Sequence, residues 1–233
     1  MKISVVVPVY NEESTLSAIH IRITETGIPD EIIYVDDGSN DRTKFILDKF
    51  AANTKVKVIT CKTNYGKGKA LTSGVQAASG ELIILQDADL EYDPAEFPHL
   101  IAPFSDQHVD IVYGARFTKG SRHAFYIPYY IANRLLTGIT NLLYGSKLND
   151  METGYKVFRK AIFANLRIKA KRFEFEPEFT AKALLSGYAI HEVPISFNPR
   201  NYKQGKKIKF RDAITAIWIL FGIRFNSPKF SDQ

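Results

Sequence analysis

Residues 81–94 read ELIILQDADLEYDP, an apolar run that ends in closely spaced acids. The run Glu81–Gln86 predicts a short strand buried on both faces, because such strands are apolar almost throughout. Asp87 and Asp89 follow at once and would lie just beyond the carboxyl end of that strand. Ligands bind at this position in open α/β sheets. The stretch therefore predicts a sheet of this class with a ligand site at its edge.

On both sides of this stretch, short apolar runs alternate with amphipathic ones. Further strands are predicted at Ile3–Pro8, Glu31–Asp36, Val56–Thr60 and Asp110–Tyr113, with helices at about Glu12–Thr24, Asp41–Ala52 and Gly68–Ala78. This order indicates an α/β fold, a mostly parallel mixed sheet flanked by helices. The second half predicts a helix, a strand, a helix and a strand, at Phe125–Leu143, Tyr155–Arg159, Glu176–Ser186 and Ile190–Phe197.

The 233 residues have the composition of a folded domain, with 45% hydrophobic and 24% charged residues. This balance excludes a wholly disordered chain, and the single cysteine, Cys61, excludes a disulfide scaffold. Lys2 precedes a mostly apolar run of only six residues, which is too short for a secretory signal. The longest uncharged apolar run, Ala213–Ile223, has 11 residues, whereas a membrane span needs about 20. We therefore expect a cytoplasmic protein without a spanning helix.

The charge balance favours an anionic partner. Lysine and arginine number 31 against 25 aspartates and glutamates, a net charge of +6. No nucleic-acid-binding motif accompanies this charge, so nucleic acid is not an expected partner. The chain also has neither GxGxxG nor GxxxxGK[ST], which argues against Rossmann dehydrogenases and P-loop NTPases.

Polar and acidic loops follow three of the predicted strands. They are Pro8–Glu13, Asp36–Asp41 and Gln86–Glu91, and parallel strands would bring them to one edge of the sheet. Asp41 is also a good start signal for the next helix. Asp87 and Asp89 can share one hard cation such as Mg²⁺ or Mn²⁺, and Glu91 continues the alternation.

The chain resembles the family 2 glycosyltransferases of the GT-A fold, in particular dolichyl-phosphate mannosyltransferases and related polyprenyl-phosphate glycosyltransferases. The matching blocks are VVVPVYNEE (5–13), IIYVDDGSNDRT (32–43), NYGKGKAL (64–71), ASGELIILQDADLEYDP (78–94), VYGARF (112–117), DMETGYKVFR (150–159), FEFEPEF (173–179) and VPISFNPR (193–200). The resemblance implies one GT-A domain over residues 1–233. Its nucleotide-sugar and metal part would be 1–117, its acceptor part 118–211, and its C-terminal apolar helix and tail 212–233.

The resemblance also implies a donor site. Its expected contacts with a nucleotide sugar are Pro8, Tyr10, Glu12, Asp37, Lys67, Asp87 and Ala88. Asp89 would bind Mg²⁺ or Mn²⁺ and so act in catalysis. Glu91 stands where the mannosyltransferase branch has a glutamine that helps to hold the metal, and this departure adds a negative charge.

The acceptor side can be argued from chemistry. A phosphate acceptor is already ionised at pH 7, so it needs cations to hold it rather than a strong base. Arg116, Arg134 and Arg200 fall in or near the matching blocks, and the planar fork of arginine suits phosphate. Arg116 and Arg134 are thus candidate catalytic residues, together with Asp150. Glu152 and Glu178 are weaker candidates, and Glu178 can instead be a first-turn acid of a helix.

The function implied is inverting transfer of a hexose, mannose or glucose, from a GDP or UDP sugar to a polyprenyl or dolichyl phosphate. Two alternatives stay open. A saccharide hydroxyl acceptor would need a carboxylate base, Asp150 or Glu152. The second alternative is that the chain is a non-catalytic subunit of such an enzyme, although the intact acids Asp37, Asp87 and Asp89 argue against it.

Two apolar surfaces predict contact with a membrane. One lies within residues 125–144, and the other, within 214–221, follows a basic stretch at 200–211. Basic residues beside an apolar helix with Trp and Phe suit a position in the membrane interface. The chain would then be peripheral at the cytoplasmic face of a membrane. The same helices could equally pack on each other, on a second copy of the chain or on a membrane-protein partner.

Overall fold

The computed structural model describes residues 1–117, 127–200 and 210–226, except for the side chains of 127–129, 210, 211 and 226. Two predicted features lie partly outside this range, namely the start of the helix predicted from Phe125 and most of the basic stretch. The strands are β1 (Ile3–Val9), β2 (Glu31–Asp36), β3 (Val56–Thr60), β4 (Leu82–Leu85), β5 (Ile111–Ala115), β6 (Lys156–Arg159) and β7 (Ile190–Pro194). The helices are α1 (Leu16–Glu25), α2 (Thr43–Phe50), α3 (Lys67–Ala77), α4 (Phe97–Ile101), α5 (Ile127–Tyr144), α6 (Lys160–Leu166), α7 (Phe175–Leu185) and α8 (Phe210–Asn226).

Over the described ranges, one sheet has the strand order β3-β2-β1-β4-β6-β5-β7. The first four strands in that order are parallel, β6 is antiparallel to both of its neighbours, and β7 is parallel to β5. Val5 of β1 pairs with Ile32 on one side and Ile84 on the other. This register brings the carboxyl ends of β1, β2 and β4 together, and the three acidic loops with them.

Helices cover both faces of the sheet, as predicted. One core contains Val5, Val7 and Val9 of β1 with the buried residues of α1. The other contains Val6 with buried residues of α3, α6 and α7. Alternate residues of β1 therefore enter different cores, which explains why its sequence is apolar except for Ser4. The short helices α4 and α6 were not predicted, because five and seven residues are too few to show a helical period.

Most predicted bounds differ from the structure by one or two residues, and two elements differ by more. The first helix begins at Leu16 rather than Glu12, because the Glu12 carbonyl accepts the Thr15 and Leu16 amides in a preceding turn. The last strand ends at Pro194 rather than Phe197. Beyond Pro194, the Ser196 amide donates to Glu96 and the Asn198 amide donates to the Glu91 carbonyl. These amides therefore do not pair with a neighbouring strand.

A third core joins α5, α7 and α8. Leu136 of α5 and Leu220 of α8 are buried in it, so these two residues are not part of an exposed apolar surface. Other apolar residues of the two helices stay exposed, including Leu142 at 85% and Trp218 at 74%. No helix in the described part of the chain is both long enough and apolar enough to cross a bilayer.

Candidate active site

A cavity of about 330 Å³ opens at the carboxyl ends of β1, β2 and β4. Every residue predicted to contact the nucleotide sugar lines it, namely Pro8, Tyr10, Glu12, Asp37, Lys67, Asp87 and Ala88. Asp89, Glu91 and Arg200 line it as well. The structure therefore brings the predicted donor and metal residues together, and their roles remain predictions.

The cavity also has residues that the sequence did not single out. Arg172 and Phe173 reach it from the loop between α6 and α7. This loop lies against the start of α3, where the Gly68 amide donates to the Arg172 carbonyl. A side chain at Gly66, which has φ of +104°, would come within 2.4 Å of the Lys171 carbonyl oxygen. The closely spaced glycines of NYGKGKAL are the sequence signal for this close contact between the start of α3 and the backbone of residues 171–172.

Asp37 supports the cavity wall. Its two carboxylate oxygens accept the Tyr65 amide at 2.8 Å and the Gly66 amide at 2.7 Å. Burial raises the pKa of Asp37, while these bonds and the Arg172 charge oppose the rise. The side chain thus fixes the turn before α3, whatever contact it makes with a nucleotide.

Lys67 joins two carboxylates that are distant in sequence. Its Nζ lies 2.9 Å from Asp87 Oδ1 and 3.0 Å from Glu176 Oε1 on α7. Burial lowers the pKa of Lys67, but the two acids outweigh burial, and the pKa is raised well above its usual value. Lys67 is thus a fixed charge of the cavity rather than a solvated lysine beside a turn. Glu176 is a site residue that the sequence analysis missed.

The acids after β4 are crowded. Burial, Asp87 and Glu91 raise the pKa of Asp89 to about 7, and Arg200 opposes the rise. Within the described residues, no three His, Cys, Asp or Glu side chains converge closely enough to hold a metal alone. The oxygen-only donors fit a hard cation that takes one or two carboxylates and completes its shell with diphosphate oxygens. The residues present therefore fit Mg²⁺ or Mn²⁺.

Arg116 and Asp150 form a buried ion pair. Arg116 Nε lies 2.7 Å from Asp150 Oδ2 and the second fork nitrogen 2.8 Å from Oδ1, while Asn133 donates to the same carboxylate. Burial would raise the pKa of Asp150, but Arg116 and these bonds lower it. Asp150 is fully buried and its oxygens are occupied, so it orients Arg116 and presents no free base.

The other two predicted acceptor arginines lie in different places. Arg134 on α5 is exposed and donates to the Asn149 carbonyl at 3.2 Å, next to the Arg116–Asp150 pair. Arg200 instead reaches the donor cavity. Two of the three predicted phosphate ligands, Arg116 and Arg134, are thus bonded to the adjacent residues Asp150 and Asn149, whereas Arg200 is bonded to acids of the donor cavity.

Glu152 and Glu178 differ in their surroundings. Glu178 accepts the Lys169 amide at 3.0 Å and also bonds to the Ala170 amide, so it holds the loop that carries Arg172. Glu152 has a buried Oε1 without a hydrogen-bond partner. Burial and Glu176 raise the pKa of Glu152 to about 7, against the opposing charges of Lys156 and Arg116.

The raised pKa of Glu152 gives a stability prediction. An ordinary glutamate in the unfolded chain titrates near pH 4.3, so the folded state holds an extra proton between about pH 4 and 7. Stability from this group is therefore lost as pH rises through that window. We expect Glu152→Gln to gain stability relative to the parent, by about 1 kcal/mol or more at pH 8 and by little at pH 4. Urea unfolding at the two pH values measures this, and an equal difference at both would contradict it.

The sequence comparison identifies the family. The model for glycosyl transferase family 2 matches residues 4–167, which include β2, β3 and β4 and all of β1 except its first residue. The chain belongs to glycosyl transferase family 2. The resemblance to this family predicted from the motifs is therefore confirmed.

Curated relatives of this family 2 chain include polyprenyl-phosphate enzymes. It is 26% identical over 239 residues to a dodecaprenyl-phosphate galacturonate synthase of Rhizobium johnstonii, covering 97% of this chain and 69% of that protein. It is 30% identical over 211 residues to a dolichol-phosphate mannosyltransferase of Pyrococcus furiosus, covering 88% of this chain and 59% of that protein. The family 2 chain thus spans roughly three fifths to two thirds of these relatives.

Solved structures confirm the predicted GT-A fold. Glucosyl-3-phosphoglycerate synthase from Mycobacterium tuberculosis, in complex with Mn²⁺, UDP-glucose and phosphoglyceric acid, superposes with a TM-score of 0.72. The match covers 98% of this family 2 chain and 81% of that chain, at 20% identity. At that identity the similarity shows the fold.

Proposed function

We propose that this family 2 chain transfers a hexose, mannose or glucose, from a GDP or UDP sugar to a polyprenyl or dolichyl phosphate, with inversion and with Mg²⁺ or Mn²⁺. The arrangement of the site carries the proposal. The predicted donor residues line a single cavity, and two arginines suited to a phosphate, Arg116 and Arg134, are bonded to the adjacent residues Asp150 and Asn149. The names of the curated relatives support the lipid phosphate as acceptor.

On the donor side, Asp89 and Glu91 would hold the metal. When bound, the metal neutralises the charge that develops on the departing diphosphate. Lys67 is fixed between Asp87 and Glu176, so its charge is in place before the donor arrives. Such preorganised charge is a large contribution to transfer reactions.

On the acceptor side, Arg116 and Arg134 would bind the phosphate and align an oxygen with the anomeric carbon. Asp150 holds the Arg116 fork in a fixed plane through two side-chain bonds. Because the phosphate is already ionised, catalysis rests on placement and charge rather than on proton removal.

This proposal is tested by incubating the protein with GDP-mannose, UDP-glucose or UDP-N-acetylglucosamine, a short polyprenyl phosphate and Mg²⁺ or Mn²⁺. We expect a lipid-linked hexose from GDP-mannose or UDP-glucose. A sugar found only on added saccharides would reject the lipid-phosphate acceptor. Absence of product with every donor and acceptor would reject the transferase activity.

A saccharide hydroxyl is the second candidate acceptor, because one carboxylate in the acceptor part suits a base. Glu152 has a pKa raised to about 7 and a buried oxygen without a partner. Asp150 lacks both features. Under this alternative, Glu152 rather than Asp150 would take the proton of the hydroxyl.

We also propose that the exposed apolar residues of α5 and α8 contact the cytoplasmic face of a membrane. Leu142 on α5 and Trp218 and Phe225 on α8 are each at least 70% exposed. A lipid-linked acceptor stays at a membrane surface, so an enzyme that uses it gains from an apolar contact surface there.

This membrane contact predicts an effect of Trp218→Ser. Exposing this side chain to lipid rather than water is worth about 1.5 kcal/mol or more, so we expect roughly 10-fold weaker binding to anionic liposomes. Sedimentation with liposomes measures the change. Phe45→Ser is the matched control, because Phe45 is 53% exposed but lies on α2. Equal binding by the Trp218 variant and the parent would reject this surface.

A further inference from the structure

Arg200 is bonded to acids from two different loops of the donor cavity. One terminal nitrogen lies 2.5 Å from Asp89 Oδ2, and the other lies 3.3 Å from Glu12 Oε2. Its backbone amide donates to Glu91 Oε1 at 2.7 Å. The residue is 111 positions from Asp89 and 188 from Glu12, so only the tertiary fold shows this cluster.

These contacts place a cation on the carboxylate assigned to the metal. A guanidinium and a divalent cation both bind the oxygens of Asp89, and charge repulsion between the two cations weakens the binding of each when the other is present. The Nε of Arg200 is also buried without a hydrogen-bond partner. A buried unsatisfied donor is costly, so the side chain can gain bonds by moving toward an anion.

The backbone beside Arg200 is fixed independently of Asp89. The Ser196 side chain and amide bond to Glu96, and the Asn198 amide donates to the Glu91 carbonyl. Release of Asp89 therefore requires only the Arg200 side chain to rotate, while the segment Ile195–Arg200 stays attached to the cavity rim.

We propose that Arg200 is the internal counter-ion of Asp89 in the empty donor site, and that a divalent cation binds Asp89 by displacing it. The released guanidinium then lies beside the incoming phosphates and can donate to their oxygens. This inference rests on the proposed function, because that function assigns Asp89 to the metal. Arg200 is therefore a positioning residue in both states: it holds Asp89 in the empty site and donates to the phosphates in the loaded site.

The test is Mn²⁺ binding to the nucleotide-free protein, measured by calorimetry or by the electron paramagnetic resonance of free Mn²⁺. Arg200→Gln removes the competing cation, so we expect Mn²⁺ to bind about 10-fold more tightly than to the parent. Arg200→Lys keeps a charge but loses the fork, and we expect an intermediate affinity. Arg172→Gln is the matched control, because Arg172 lines the same cavity and, within the described part of the chain, forms no ion pair with Asp89. We expect it to change the affinity by less than about twofold.

The outcomes separate this inference from the proposed function. If Asp89→Asn abolishes Mn²⁺ binding but Arg200→Gln leaves it unchanged or weaker, the counter-ion role is wrong and the metal site stands. If Arg200→Gln and Arg172→Gln tighten binding equally, the effect is general electrostatics and the role is again wrong. If Asp89→Asn has no effect on binding, the metal assignment fails and this inference fails with it. Thermal unfolding of each variant confirms that the folded protein is being compared.

Discussion

Asp89→Asn is expected to lower kcat/KM for hexose transfer by roughly 10³-fold while the protein stays folded. The variant loses the carboxylate charge that would hold the metal, so the departing diphosphate keeps its charge uncompensated, a loss of several kcal/mol. The fold should be kept, because burial and neighbouring acids already disfavour the charged form of Asp89, and Arg200 still has Glu12 as a partner. Steady-state kinetics with saturating Mg²⁺ or Mn²⁺ measures the loss.

Asp93→Asn is the control for that variant. Asp93 belongs to the same acidic stretch, but its carboxylate accepts the Ala95 amide and lies 3.7 Å from Arg22. Asparagine caps a helix start nearly as well as aspartate, so near-parental activity is expected. Parental turnover in Asp89→Asn, or full activity of the parent in excess chelator, would contradict the metal assignment.

The second large predicted effect distinguishes a phosphate acceptor from a hydroxyl acceptor. It compares the activities of Arg134→Ala and Glu152→Gln. If the acceptor is a phosphate, Arg134→Ala should lower kcat/KM by roughly 10- to 100-fold, because a bond to a charged group is worth about 1.5–3 kcal/mol. Glu152→Gln should then cost little. If the acceptor is a hydroxyl, Glu152→Gln should cost about 10²–10⁴-fold instead, and Arg134→Ala little.

Arg134 is the better arginine for this test because of its exposure. Removing Arg116 would leave the fully buried Asp150 without its partner, so lost activity could reflect lost folding. Arg22→Ala provides a control for Arg134, since Arg22 is also exposed and its ion-pair partner is Asp93 rather than a residue of the predicted acceptor part. Parental activity of Arg134→Ala on polyprenyl phosphate would reject the phosphate-binding role.

The donor half of the site could be predicted from sequence because its signals are local. Each acidic loop directly follows an apolar run, and the parallel order of strands then brings the three loops together. The family blocks supplied the residue assignments. The α/β sheet and its flanking helices could be predicted as well, since long amphipathic segments show the helical period of their apolar residues.

The partners of charged residues could not be predicted in the same way. Lys67 meets Glu176, Arg116 meets Asp150, and Arg200 meets Asp89, and each pair joins residues 34 or more positions apart. A sequence shows that a charge exists, but only packing shows what it pairs with. For this reason the sequence predicts Asp150 as a candidate base, whereas in the structure both of its oxygens are bonded to Arg116 or Asn133.

The bond that the reaction forms is reported directly by the anomeric carbon of the product. Nuclear magnetic resonance of the product from GDP-mannose or UDP-glucose and a short polyprenyl phosphate should show that carbon joined through oxygen to the lipid phosphorus. Its configuration should be opposite to that of the donor. A sugar linked to a hydroxyl, or a phosphate-linked sugar with the donor's configuration retained, would contradict the proposed reaction.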